Sequence, residues 1–389
     1  MRLSLNHINR VAVIMYYGRS GSVFLHSLLD FHPNIITIPG TYLSGFNDFW
    51  ILESSGLSKD QIIAAFVKRY DVLFDANSPV YIYGAGANAG VELGFANMGH
   101  GQNETISVDK DTFIFNLNQV LNDCEKINRK NFFKAIHIAY YHCLNESYDS
   151  LHEPLIIYQL HTPSQVRAIQ LLEDFPFSIY LHTVRSPIQT FSSHIIHVAK
   201  KMLSKSDLTG LINHCLYGGF PVFEDCREYS WAVKLEDLHQ RPRTIMESIC
   251  KVLDIPWNDS LMHSTFNGKP WYNVKDSVKI NGFSDKTIIK TNDEALSSFD
   301  RFRLDVVLSR KHDAWEYPVL PWSDYRLMKE LLDYPFKFEE LVTLENEKEK
   351  IELRRSVKSM FCDYWEEVNF GDKKTKEIKL LRPATELAK

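Results

Sequence analysis

The chain has no run of eighteen apolar residues, no CxxC pair, no block of lysine and arginine, and no internal repeat. Each absence removes a class. Without a long apolar run no transmembrane helix is expected. The six cysteines (Cys124, Cys143, Cys215, Cys226, Cys250, Cys362) are scattered, which suits reduced thiols in a cytoplasmic protein better than a disulfide framework or a zinc site. Net charge is −5, from 44 Lys+Arg against 49 Asp+Glu, so no overall field favours nucleic acid. The apolar run near the N-terminus, Val11 to Met15, is too short for the core of a signal peptide. One further absence is local. The turn Gly18-Arg19-Ser20-Gly21-Ser22 is followed by no lysine, which excludes the Walker A phosphate loop.

What is present is abundant apolar material, 44% of 389 residues, enough for a sizeable core. It falls into alternating patterns. Residues 11–16 predict a strand, 17–21 a loop and 22–31 a helix closed at His32-Pro33. Residues 36–50 read as loop-rich. Residues 58–74 predict a helix, with Ile62, Ile63, Phe66, Val67 and Tyr70 on one face, and 111–144 read as helical. "PLIIYQLHTPS", "FSIYLHTVRSP" and "YSWAVKLEDL" read as strands. "TPSQVRAIQLLEDF", "IQTFSSHIIHVAKKML" and "PRTIMESICKVLDI" read as the helices after them. Such alternation predicts an α/β fold with a central parallel sheet flanked by helices. From residue 323 the pattern is helical, with opposite charges at i,i+4 in "ENEKEKIELRRSVKSM". The expected organisation is an α/β domain over 1–322, with 40–150 as an acceptor-side insert, and a helical C-terminal extension over 323–389. Tyr364 and Trp365 in that extension are candidates for packing or for a homo-oligomer contact.

Two segments carry chemistry. In the first, a strand enters a glycine turn that opens a helix. Backbone N–H groups converge at such a turn and carry partial positive charge. Gly18 and Gly21 permit the bend, Arg19 offers a charged fork, and Ser20 and Ser22 offer hydroxyls. In the second, "HTVRSPIQTFSSH", Arg185 ends a strand and Ser193 lies in the helix that follows, so the two can grip one phosphate. Both segments sit at C-terminal ends of strands, where α/β sheets bind ligands. Two anion sites there suit a nucleotide with phosphates at both ends. The glycine-rich stretch "YIYGAGANAG" imitates a dinucleotide loop, but no clear helix follows it; a loop over the acceptor cleft is the better reading. His194 and His197, at i,i+3, have no third ligand at a suitable spacing, so no metal is expected.

With these residues in view, the sequence resembles the sulfotransferase family. "YGRSGSVFLHSLLDFHPNI" resembles that family's 5′-phosphosulfate loop, and "HTVRSPIQTFSSH" its 3′-phosphate motif. "VKLEDLHQRPRTIMESICKVLDIPW" and "STFNGKPWYNVKDSVKINGFS" resemble its later segments, in the right order. The resemblance implies a P-loop NTPase-like sulfotransferase fold and the donor 3′-phosphoadenosine 5′-phosphosulfate (PAPS; product PAP). It implies that Arg19, Ser20, Gly21, Ser22 and Val23 hold the 5′-phosphosulfate and that Arg185 and Ser193 hold the 3′-phosphate. Three positions depart from the family. Its Thr-Thr pair is Ser22-Val23 here, its "KTP" is "HTP" with His161, and its glutamate base has no counterpart. Thr41 is near that place and the nearest carboxylate is Asp48. His161, at a strand end, and then Asp48 are the candidate bases. The expected activity is sulfuryl transfer to a hydroxyl or amine of a carbohydrate, lipid or small molecule. A catalytically silent PAPS- or PAP-binding module and a P-loop-type small-molecule kinase are the alternatives.

Overall fold

The computed structural model describes residues 3–16, 18–80, 88–122, 124–145, 148, 152–161, 165–199, 204–218, 229–275, 278–288, 295–322, 324–370 and 382–383. Its centre is a parallel sheet of five strands: β1 (Arg10–Tyr16), β2 (Ile35–Thr37), β3 (Leu155–His161), β4 (Ile179–Val184) and β5 (Ser230–Lys234), in spatial order β5-β4-β1-β3-β2. A two-residue strand, Arg382–Pro383, pairs parallel with Trp231 and Ala232 on the outer side of β5. β1 lies between β3 and β4, with Ala12 opposite both Ile157 and Ile179. Val11 through Met15 are all buried, the pattern of a parallel strand covered on both faces. The α/β parallel architecture is therefore as the alternation predicts.

The helices fall close to the expected places. α1 (Ser22–Leu29) follows β1 and packs on β1, β3 and β4. α3 (Lys59–Arg69) begins at Ser58, whose hydroxyl accepts from Gln61 N and whose N–H is capped by the Gln61 side chain. Two elements differ from expectation. Residues 36–50, read as loop-rich, hold most of β2 and the first part of the helix α2 (Phe46–Glu53). The span 111–144 is two helices, α5 (Lys110–Asn122) and α6 (Arg129–Leu144), the second capped by Asn128. A short helix α4 (Ala89–Glu92) lies between α3 and α5. The imitation dinucleotide loop falls largely on residues 81–87, outside the described residues.

Strands β3, β4 and β5 are followed by α7 (Gln165–Asp174), by α8 (Pro187–Ala199) with α9 (Lys205–Tyr217), and by α10 (Leu235–Gln240) with α11 (Pro242–Leu253). After two short hairpins, Thr265–Pro270 and Tyr272–Asn281, come α12 (Ser298–Val307), α13 (Ser309–Ala314), α14 (Tyr325–Leu331) and α15 (Glu347–Phe370).

The main core joins the sheet to the aromatic side chains of α2, α3, α5 and α6. A second core joins residues 188–216 of α8 and α9 to residues 295–368. The expected boundary at 322 lies inside this second core, with residues on both sides of it packed together. Tyr364 and Trp365 are interior to it, 0% and 3% exposed, so these two rings are packing residues of the chain itself. No helix among the described residues is long and apolar enough to cross a membrane.

Candidate active site

The loop between β1 and α1 is built on left-handed backbone. Gly18, Arg19 and Gly21 have φ of 75°, 52° and 92°, a conformation that costs little only for glycine. Neighbours add a steric reason. A Cβ at position 18 would stand 2.3 Å from the His194 ring, and one at position 21 would stand 2.5 Å from Leu235 Cδ1. The loop is thus pressed between α8 and the start of α10. α1 begins at Ser22, and its first N–H groups have no partner within the helix.

The two anion segments meet. Arg19 Nε donates to Ser193 Oγ at 3.1 Å, across 174 residues of sequence. Arg185, at the end of β4, is half-buried, and its Nε and Nη2 donate to Gln189 Oε1 at 3.2 and 3.0 Å. Burial holds its guanidinium below the usual arginine range; the Glu236 charge opposes this, and the like charge of Arg19 adds to it. Two cations held close together raise the local positive potential, which favours an anion beside them. Arg19, Gly21, Ser22, Val23 and Arg185 all line one cleft of about 350 Å3, together with Glu92, Leu235, Trp271, Tyr272 and Lys279.

Each expected residue has a distinct position. Ser22 is buried beneath the cleft and its Oγ accepts from Gln159 Nε2 at 3.0 Å, which leaves its own hydrogen to donate. Gln159 Oε1 bonds to His26 Nδ1 at 3.1 Å, and His26 Nε2 to Thr37 Oγ1 at 2.5 Å. This chain of neutral groups ties the loop to β2 and β3; burial pushes His26 down to about 4 against the bond from Gln159. Ser20 differs from the expectation that its hydroxyl faces the ligand. It is 3% exposed and its Oγ bonds to Thr183 Oγ1 at 2.9 Å, fastening the loop to β4.

His161 closes β3 opposite Tyr16, beside the loop; its side chain lies outside the described part of the structure. Asp48 is in the first turn of α2 and does not line the cleft. Its charge acts instead on Tyr70, a buried phenol directly after α3. The carboxylate that does line the cleft is Glu92, at the end of α4. Trp271 Nε1 donates to Leu93 O at 2.8 Å and holds that end in place. Local sequence gives no signal for Glu92, because its position depends on the second hairpin region, about 180 residues away. Among the described residues no cluster of side chains is arranged to hold a metal ion.

No family model and no curated protein matches the chain. Solved structures similar to it include sulfotransferase domains. One is the "Sulfotransferase Domain from the Synechococcus PCC 7002 Olefin Synthase", at 16% identity and TM-score 0.40, covering 80% of this chain and 96% of that domain. Another is the "Sulfotransferase Domain from the Curacin Biosynthetic Pathway", at 13% identity and TM-score 0.40, covering 82% of this chain and 100% of that domain.

Proposed function

We propose that this chain is a PAPS-dependent sulfotransferase acting on a hydroxyl or amine of a carbohydrate, lipid or small-molecule acceptor. The observation that carries this reading is the Arg19–Ser193 bond, which joins the two segments whose arginines, Arg19 and Arg185, line one cleft. The residues present suit a nucleotide with anions at both ends: the left-handed loop with Arg19 and Ser22 for the 5′ end, and Arg185 with Ser193 for the 3′-phosphate. PAPS supplies an activated sulfuryl group whose transfer breaks the bond to the phosphate oxygen. The chain's part is positioning and electrostatics. Arg19 and the N–H groups of the loop stabilise charge on the leaving phosphate. A side chain must also take the acceptor proton; Glu92 on the cleft wall and His161 at the end of β3 are the groups offered. Five described cysteines are free thiols, which supports a reducing compartment such as the cytoplasm.

Thermal denaturation with PAP, ATP and NAD tests the reading. Ligand at a hundred times its Kd adds about 2.7 kcal/mol of stability. PAP is expected to stabilise the protein, and ATP and NAD far less. Equal stabilisation by ATP overturns the assignment in favour of a kinase. PAP binding without turnover of PAPS against any acceptor leaves a binding module.

A further inference from the structure

One carboxylate links the C-terminal part of the chain to the turn that carries Arg185. Glu236 stands in the first turn of α10, directly after Leu235, whose side chain covers Gly21. Both of its oxygens bond outside its own helix. Oε1 accepts Ser186 N–H at 3.1 Å, and Oε2 accepts the Tyr317 phenol at 2.7 Å. Ser186 adjoins Arg185, so the first bond holds the turn on which the guanidinium is mounted. Tyr317 follows α13 and is itself fixed. Its N–H donates to His312 O at 2.8 Å, and Lys234 Nζ lies 4.9 Å from its ring centroid. Lys234 Nζ also donates to Glu316 O at 3.2 Å. Burial and the Glu236 charge both keep the Tyr317 phenol protonated, and therefore a donor.

Glu236 is placed to steer Arg185 without capturing it. The guanidinium bonds to the neutral Gln189, and no ion pair to Glu236 forms within 4.0 Å among the described residues. A direct ion pair would compete with an incoming phosphate; attraction from a carboxylate bonded to Ser186 and Tyr317 does not close the fork.

We propose that Glu236, locked by Tyr317, is a positioning residue for Arg185: by holding Ser186 N–H it fixes the turn that presents the guanidinium to a 3′-phosphate. The inference rests on the reading of the cleft as a PAP site. It assigns the segment after α13 a part in nucleotide recognition.

The test is calorimetric titration of the full chain with PAP and with adenosine 5′-phosphate, which differ only in the 3′-phosphate. Glu236→Ala is expected to weaken PAP by about tenfold or more and to leave adenosine 5′-phosphate within about twofold. Glu236→Gln, whose amide oxygen still accepts Ser186 N–H, is expected to return PAP affinity to within about threefold of the parent. Tyr317→Phe removes a single hydroxyl and is expected to weaken PAP alone, by about two- to fivefold; it carries the test if the alanine variant does not fold. Equal losses for both nucleotides make Glu236 a structural residue and overturn the inference. So does an unchanged PAP affinity, or a Gln variant as weak as the Ala variant. If the parent protein itself fails to prefer PAP over adenosine 5′-phosphate, the reading of the cleft fails instead.

Discussion

Replacing Arg185 with methionine should cost binding far more than stability. The guanidinium is partly desolvated and repelled by Arg19, the Glu236 charge offsets part of this, and the guanidinium's hydrogen bonds go to a neutral amide. Methionine keeps much of the volume and removes the desolvation cost together with the attraction of Glu236, so the two effects oppose each other. A stability change within about 1 kcal/mol is the expected scale. Hydrogen bonds to a charged group contribute about 1.5–3 kcal/mol, so PAP affinity should fall about ten- to a hundredfold. Urea unfolding without ligand, and calorimetric titration with PAP and adenosine 5′-phosphate, measure both effects. Adenosine 5′-phosphate should be nearly indifferent to the change. A variant that is far less stable than the parent and weakened equally for both nucleotides would show that Arg185 is structural and refute the reasoning.

Three other outcomes follow from the same geometry. Glu92→Gln should lower turnover by about 10²–10⁴-fold with PAP affinity unchanged, as loss of a proton acceptor does; if turnover is unaffected, the same loss is expected of His161→Ala. Gly18→Ala combines a left-handed backbone with a Cβ 2.3 Å from the His194 ring; it should cost about 1–2 kcal/mol in thermal unfolding from the backbone alone and weaken PAP. Acid should unfold the protein steeply. Burial depresses His26, His137 and His312 to about 4 and His182 to about 3, so below pH 6.5 only the unfolded chain takes up these four protons and stability falls with pH. Burial raises Asp30 to about 6, which acts in the opposite sense between pH 4 and 6, where the folded chain holds one proton more. For these five groups the net difference is about three protons near pH 5, which corresponds to about 4 kcal/mol per pH unit there. Unfolding free energies measured from pH 7 to pH 4.5 check this, and a flat profile would contradict the neutral burial of the histidines.

Much of the frame is legible in consecutive residues. The run Val11–Met15, the glycine turn and the apolar face of α1 announce a strand, a loop and a helix, and each formed within a few residues of its expected limits. β2 escaped notice because three residues are too few to show a period, and it is a strand only because Ile35–Thr37 pair with Leu155–Ile157. α2 escaped because aromatic packing against α6 and α3, with Phe49 stacked on Phe132 and edge-on to Phe66, outweighs its modest helical propensity.

The sequence alone determined the alternation of strands and helices, the parallel sheet, and the two strand–turn–helix units that carry Arg19 and Arg185, because backbone propensity and periodic burial are written in neighbouring residues. Tertiary structure alone decided what those segments meet. It brought Arg19 to Ser193 and turned Ser20 toward Thr183. It set Glu92 rather than Asp48 on the cleft wall and locked Glu236 with Tyr317. It also merged residues on either side of 322 into one core with α8 and α9. Such contacts join positions tens to hundreds of residues apart. They depend on which apolar faces cover one another once the chain has closed, and no local pattern carries that information.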